Sequence, residues 1–297
     1  MRDRNTRSRR RSGDERDESD TPIPRRSVPP VWDVTDADAP PEGDRWSTFA
    51  EACQGPVPRP SWVVTEHAAV DTELGVLKTG KEADVHLVER SVPGTERRCL
   101  LAAKRYRSAE HRMFHRDAGY LEGRRVRRSR ETRAMARRTG FGRELLSGQW
   151  ADAEFAALAT LWSDGVAVPY PVQVHGTELL LEFLGDPDGT AAPRLAALRP
   201  RPDELAQLWE QLAEGLRGLA RRGLTHGDLS AYNLLVHDGR LVLIDLPQVV
   251  SVVANPRGPD YLHRDVARIG AWFTARGLAP EAPDLLLADL LVMIGLV

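Results

Sequence analysis

The pattern of apolar and polar positions changes character twice along the chain. Up to about residue 60, apolar residues are sparse among Arg, Pro and Asp, too few to offset the entropy of ordering, so 1–60 is expected to be a disordered tail. From Val70 the pattern becomes strand-like: Asp71–Lys78, Ala83–Glu89 and Arg98–Lys104, separated by turn signals at Thr79-Gly80 and Pro93-Gly94. Gln149–Trp162 reads as a helix, with Trp150, Ala153, Ala157, Leu158 and Leu161 at helical spacing, and Glu178–Phe183 as a strand. Pro202–Arg222 is the clearest helix. Leu205, Leu208, Leu212, Leu216 and Leu219 make one stripe, Pro202 opens it and Gly223 follows its end. Leu234–Val236 and Leu241–Ile244 flank His237-Asp238-Gly239-Arg240, a β-hairpin signal, and the remainder reads as mostly helical.

Strands first and helices second predict an α+β, two-lobed molecule with a ligand cleft between the lobes. The expected division is a folded domain at 61–297, with an N-lobe at about 70–184, a flexible basic insert at 105–147 and a C-lobe from about 185. The 297 residues suffice for a substantial core. Cys53 and Cys99 cannot form a disulfide framework and fit a reducing compartment. Asp289 breaks the most apolar segment, Leu285–Val297, and the N-terminus has no apolar run of a secretory leader. A cytoplasmic protein without membrane attachment is expected.

The net charge of −2 hides an asymmetry, because 105–143 holds 13 arginines against four acids. That segment fits a solvated loop or a contact for RNA, a ribosomal particle or an acidic protein. Its few aromatics, Phe114, Tyr120 and Phe141 beyond Tyr106, give little support for base stacking. The Arg2–Arg11 run is read as a solvated tail in preference to a nucleic-acid arm. Only three of the 41 basic residues are lysine, Lys78, Lys81 and Lys104, so these positions call for a compact ammonium.

The strongest chemical signal is His226-Gly227-Asp228-Leu229-Ser230-Ala231-Tyr232-Asn233, then the hairpin, then Asp245. Asn233 precedes the first hairpin strand and Asp245 follows the second, so antiparallel pairing places both at one open end, about 5 Å apart. Two oxygen donors so placed can share Mg²⁺ with substrate phosphates. Asp228 beside them could orient or deprotonate an attacking hydroxyl. The spacing matches the phosphoryl-transfer template of protein kinases. Leu77–Val85 joins two strands as a phosphate-covering loop would, and Lys104 ends a strand like the one whose lysine reaches the α- and β-phosphates. Glu154 is its natural ion-pair partner.

These residues resemble the RIO family of atypical protein kinases, and most of all its first branch. The resemblance is carried by Thr79-Gly80-Lys81-Glu82-Ala83-Asp84-Val85, Ala102-Ala103-Lys104, Leu181-Glu182-Phe183-Leu184-Gly185, Thr225–Leu235 and Ile244-Asp245-Leu246-Pro247-Gln248. Asn255-Pro256 and Leu262-His263-Arg264-Asp265-Val266 extend it downstream. It implies a kinase-like fold with a truncated helical C-lobe and a serine/threonine protein kinase or ATPase using ATP and Mg²⁺. It implies Asp228 as catalytic aspartate, with Asn233 and Asp245 on the metal. Lys104, Glu154, Lys81, Gly80 and Ser230 would lie around the phosphates, and the Glu182 and Leu184 backbone at the adenine. Some family members pass phosphate through the metal-binding aspartate, here Asp245. Archaeal and eukaryotic members assist small-subunit ribosome maturation, whereas the Arg-rich tail fits a bacterial, GC-rich source where that pathway differs. Gly227 and Ser230 depart from ordinary protein kinases, Asp245 lacks a following Phe-Gly, and little chain remains for an activation segment or an extended peptide platform. The alternatives are an aminoglycoside- or choline-type small-molecule phosphotransferase and an ATP-dependent binding switch on a ribosomal particle with little turnover.

Overall fold

The computed structural model describes residues 39–107 and 140–297. The expected tail up to residue 38 and the stretch 108–139 of the basic insert lie outside the described residues.

The N-lobe is a seven-stranded, wholly antiparallel sheet. Its strands are β1 (Arg45–Trp46), β2 (Cys53–Gln54), β3 (Val70–Thr79), β4 (Ala83–Ser91), β5 (Arg98–Tyr106), β6 (Pro171–His175) and β7 (Glu178–Glu182). The order is β1-β3-β4-β5-β7-β6-β2. The three strand-like runs from Val70 form the meander β3-β4-β5, and Lys104 faces Leu179 across the β5–β7 pair. Helix α1 (Gly140–Ser163) packs against β5, β6 and β7.

Two expectations need correction here. Residues 39–60 are not a tail: β1 pairs with β3 at one sheet edge and β2 with β6 at the other. The segment thus covers both edges that would otherwise expose unpaired backbone groups. Its apolar residues are few but well placed. Phe49 joins Val63, Val88, Leu101, Tyr170 and Leu180 in one buried cluster, with Trp62 against it. The Tyr170 hydroxyl donates to the Pro56 carbonyl at 2.8 Å. The expected insert, 105–147, is also shorter at both ends. Arg105 and Tyr106 belong to β5, helix α1 begins at Gly140, and the Ser147 hydroxyl fastens the helix to the Arg107 carbonyl at 2.8 Å.

A closed polar network runs through the sheet. The Arg90 guanidinium grips both Asp71 oxygens at 2.7 and 3.0 Å and donates to Gln173 at 2.8 Å. Gln173 in turn donates to the Thr48 hydroxyl at 2.8 Å. Arg90, Asp71 and Gln173 are all at most 1% exposed.

The C-lobe contains α2 (Pro202–Ala220), β8 (Leu224–Thr225), β9 (Leu234–His237), β10 (Arg240–Leu243), β11 (Val250–Ser251), α3 (Gly258–Thr274) and α4 (Ala282–Ile294). Helix α2 buries the predicted stripe, Leu205, Leu208, Leu212, Leu216 and Leu219. It starts with Pro202 and two acids in its first turn, which favour the positive helix end. Leu243 from the hairpin, Leu246 just beyond it, and Val266, Ile269 and Phe273 from α3 join the same core. The β9–β10 hairpin turns on Asp238-Gly239, both at positive φ (49° and 74°), as a tight two-residue turn requires. Among the described residues, no helix is long and apolar enough to cross a membrane.

Candidate active site

The meander, the β6–β7 hairpin and the β9–β10 hairpin enclose a cavity of about 430 Å³ between the lobes. That lies within the range of small-molecule sites. Seven of the residues singled out in the sequence line it: Gly80, Lys81, Lys104, Glu154, Glu182, Leu184 and Asp245. Asp228, Ser230 and Asn233 are not among the lining residues; they lie on the loop that leads into β9.

Lys104 is the hub. Its ammonium donates to Glu154 Oε1 at 2.8 Å and to Asp245 Oδ1 at 2.7 Å, joining β5, α1 and the end of β10. Glu154 is 1% exposed and has further donors in the Tyr106 hydroxyl and, at 3.0 Å, the Leu246 N–H. A buried carboxylate is tolerable only with such complete pairing. Burial pulls the Lys104 ammonium down, but the Glu154 and Asp245 carboxylates more than offset it, leaving it above its ordinary value. Burial and the neighbouring Glu154 charge push the Tyr106 phenol well above the usual range. Partial burial raises Asp245, yet Lys104, then Lys78 and His226, outweigh that and hold its carboxyl below the usual value. Asp245 also adopts φ 66°, a left-handed conformation that Asp tolerates better than most residues and that concentrates at functional sites.

Asn233 and Asp245 come to the same end of the hairpin in the backbone: Leu234 faces Leu243, and the Ile244 N–H donates to the Asn233 carbonyl at 3.0 Å. Asn233 Nδ2 donates to the Asp228 carbonyl at 2.9 Å, which leaves its Oδ1 as the atom suited to a cation. Among the described residues no three His, Cys, Asp or Glu side chains form a metal cluster. Magnesium held by one or two protein oxygens plus phosphates needs none.

The loop carrying Asp228 is fixed from below by a residue that was not assigned a site role from sequence. Asp265 on α3 is 1% exposed. It accepts from the Gly227 N–H at 2.6 Å, the Thr225 hydroxyl at 2.9 Å and the Leu229 N–H at 3.2 Å. His226 is fully buried, with Nε2 3.1 Å from the Ile244 carbonyl, tying the loop to the residue before Asp245. Gly227 has φ 85°, and a Cβ there would lie 2.2 Å from the Gln248 carbonyl, so no other residue fits. The Leu262–Val266 motif was the available signal for Asp265; its role needed the contacts.

At the cavity's other end, the Leu184 carbonyl accepts from the Ala192 N–H at 2.9 Å, which leaves the Leu184 N–H as the simplest carrier of the backbone role expected for it. Among the described residues nothing takes up that N–H, a donor suited to a heterocycle's acceptor nitrogen. Two cations missed as site residues also line the cavity, Lys78 and Arg194. Burial, followed by the repulsion of Arg194, lowers the Lys78 ammonium, as expected where positive charge is in excess.

The RIO domain family model matches residues 97–285, more than half of the chain. The chain belongs to the RIO family. It is 33% identical over 216 residues to the RIO-type serine/threonine-protein kinase Rio1 of Haloferax volcanii, covering 73% of this chain and 68% of that protein. It is 31% identical over 208 residues to the serine/threonine-protein kinase rio1 of Schizosaccharomyces pombe, covering 67% of this chain but 37% of that one. It is 32% identical over 130 residues to the human serine/threonine-protein kinase RIO3, covering 43% of this chain and 25% of the relative. The chain therefore spans about two thirds of the archaeal relative and much less of the eukaryotic ones. In this RIO domain the matched span contains Lys104, Glu154, the whole 225–235 loop, Asp245 and Asp265. Residues 39–96, which supply β1 to β4 and the Lys78–Lys81 loop, precede it.

Proposed function

We propose that the protein is a RIO-type serine/threonine kinase that transfers the γ-phosphoryl group of ATP to a protein hydroxyl, with Mg²⁺ as cofactor. The observation that carries this reading is Lys104, held at once by Glu154 and Asp245 in a cavity whose far wall offers the Leu184 N–H. The further cations Lys78, Lys81 and Arg194 lining the same cavity, with Lys78 acting electrostatically on Lys104 and Asp245, suit a polyphosphate. Asn233 and Asp245 would hold the magnesium, which when bound neutralises charge on the phosphate oxygens.

Lys104, fixed by Glu154, keeps an ammonium where the phosphates lie. Asp228 accepts the proton of the acceptor hydroxyl as that oxygen bonds to phosphorus and ADP leaves. Asp265 keeps the Asp228 backbone from shifting, since a displacement of an ångström can cost a hundredfold in rate. Membership of the RIO family disfavours an aminoglycoside- or choline-type phosphotransferase.

The test uses labelled ATP and Mg²⁺ with the wild type and Asp228→Ala. Asp228-dependent label on protein, stable to hydroxylamine, is the expected result. Hydroxylamine-labile label with slow phosphate release would instead mark Asp245 as the acceptor and the protein as an ATPase switch. Absence of turnover in both proteins would overturn the enzymatic reading.

A further inference from the structure

Helix α3 turns a second, exposed face away from Asp265. Arg257, at its N-cap, Tyr261, Arg264 and Arg268 follow one another at spacings of four, three and four, which confines them to a sector of roughly 60° on the helix. None of the four lines the nucleotide cavity. The guanidiniums of Arg257 and Arg264 lie 5.7 and 4.8 Å from the centre of the Tyr261 ring. Arg264 also donates to the Gly227 carbonyl, and Arg268 donates to Asp228 Oδ1 at 3.0 Å. The stripe therefore ends on the residue assigned above to the acceptor hydroxyl. Arg264 and Arg268 keep 43% and 47% of their side chains exposed, so their remaining donors face solvent. Of the nearby acids, Asp260 is exposed and outside the sector, and Asp265, hydrogen-bonded into the loop, also lies 3.6 Å from Arg264.

We propose that this face of α3 docks an acidic segment of the protein acceptor, holding carboxylate side chains on one side of the hydroxyl to be phosphorylated. The inference rests on the kinase reading of the site, since it makes Asp228 the anchor. Measured from Arg268, Arg264 lies about 6 Å and Arg257 about 16 Å along the helix axis. An extended chain advances roughly 3.3 Å per residue, so acids about two and about five residues from the hydroxyl match the stripe. Two features favour a peptide carboxylate over RNA. The group already on Arg268 is a carboxylate, and the Tyr261 ring is covered by guanidiniums rather than presented as a stacking platform.

The first readout is binding alone, by fluorescence anisotropy of a labelled ten-residue peptide with Ala at the acceptor position and Glu two and five residues away. A matched peptide with Gln in place of Glu is the control. The wild type should bind the acidic peptide at least fivefold more tightly than the control, and 0.5 M NaCl should erase the difference. Arg257→Glu should reduce that preference several-fold while the rate on the control peptide with Ser restored is unchanged. Arg257 touches neither the catalytic loop nor the cavity, so this variant leaves the reaction centre intact. Equal binding of the two peptides, or a preference unaffected by Arg257→Glu, overturns the proposal. So does single-stranded RNA that binds through Arg257 and is not displaced by the acidic peptide. Docking of the acidic peptide without phosphorylation of its Ser counterpart would break the kinase reading and leave the docking surface standing.

Discussion

Two networks of buried charge hold this molecule, and they differ in one respect. In the sheet, Arg90, Asp71 and Gln173 are at most 1% exposed; Arg90 is spent on Asp71 and Gln173, and Asp71 on Arg90 and, at 3.5 Å, Arg45. In the cleft, Lys104 and Glu154 are equally well paired, but Asp245 keeps 39% of its side chain exposed. The first network joins β3, β4, β6 and Thr48 and has no face left for a ligand. The second opens onto a cavity, and its lysine is shared between a carboxylate that is fully enclosed and one that is not. Burial of charge alone therefore does not mark a functional site; an ion pair with one solvent-facing partner and a cavity beside it does.

The strongest way to break the comparison is Arg90→Ala. It removes the bidentate cation from the buried Asp71 carboxylate and leaves only Arg45, 3.5 Å away, which costs about 3 kcal/mol. Urea unfolding should show that loss, while the protein that remains folded should bind ATP as the wild type does. A loss of ATP affinity with unchanged stability would put Arg90 on the wrong side of the comparison. Lys104→Met should strike turnover instead, with a fall of about a hundredfold, equivalent to roughly 2.7 kcal/mol of transition-state stabilisation. It also costs stability, because Glu154 stays buried with only the neutral donors Tyr106 and the Leu246 N–H. Wild-type turnover in Lys104→Met would remove the distinction between the networks.

Asp265→Asn sharpens the picture with a smaller effect. An amide can accept with one atom only, so of the two N–H donors and the Thr225 hydroxyl now paired with the carboxylate, at least one loses its acceptor. The expected cost is about 1–3 kcal/mol of stability. Turnover should fall about tenfold with ATP affinity preserved, because the loop carrying Asp228 shifts while the cavity does not. Loss of nucleotide affinity equal to the loss of rate would contradict a positioning role.

How far the sequence disclosed this depended on whether the signal was local. The meander, helix α2 and the β9–β10 hairpin each carry their own periodicity and turn residues, and all were legible. So was the approach of Asn233 to Asp245, because a hairpin fixes its register within a dozen residues. What escaped depends on pairing between distant segments. β1 and β2 are two residues each, too short for periodicity, and exist because two sheet edges are available. Phe49 is an isolated aromatic in a Pro-rich stretch, and only its place beside Tyr170 and Leu180 makes it core. Asp265 was visible within a motif, but its three bonds cross about 40 residues of chain. Arg268 gave no signal until α3 brought it to Asp228.

The smallest expected effect concerns a third charged cluster, intermediate between the two networks. Glu178 on β7 takes the Arg45 guanidinium at 2.6 Å and that of Arg105 at 2.6 Å, while both arginines remain about one third exposed. Burial raises the Glu178 carboxyl, but Arg45 and then Arg105 outweigh it and leave it below the ordinary 4.5. A carboxylate so depressed adds stability that is complete above the unfolded value and is lost as the pH falls through the lower folded value. Neither arginine titrates in that range, so the loss belongs to Glu178 alone. The wild type should therefore lose on the order of 1 kcal/mol more than Glu178→Gln between pH 7 and pH 3, with the difference confined to the acid limb. Urea midpoints of both proteins at pH 7, 4.5 and 3 measure it. Because β1 is anchored to β7 through this cluster, the same experiment asks whether the N-terminal segment is held by charge or by Phe49. Parallel acid limbs in the two proteins would assign the anchoring to the apolar contact.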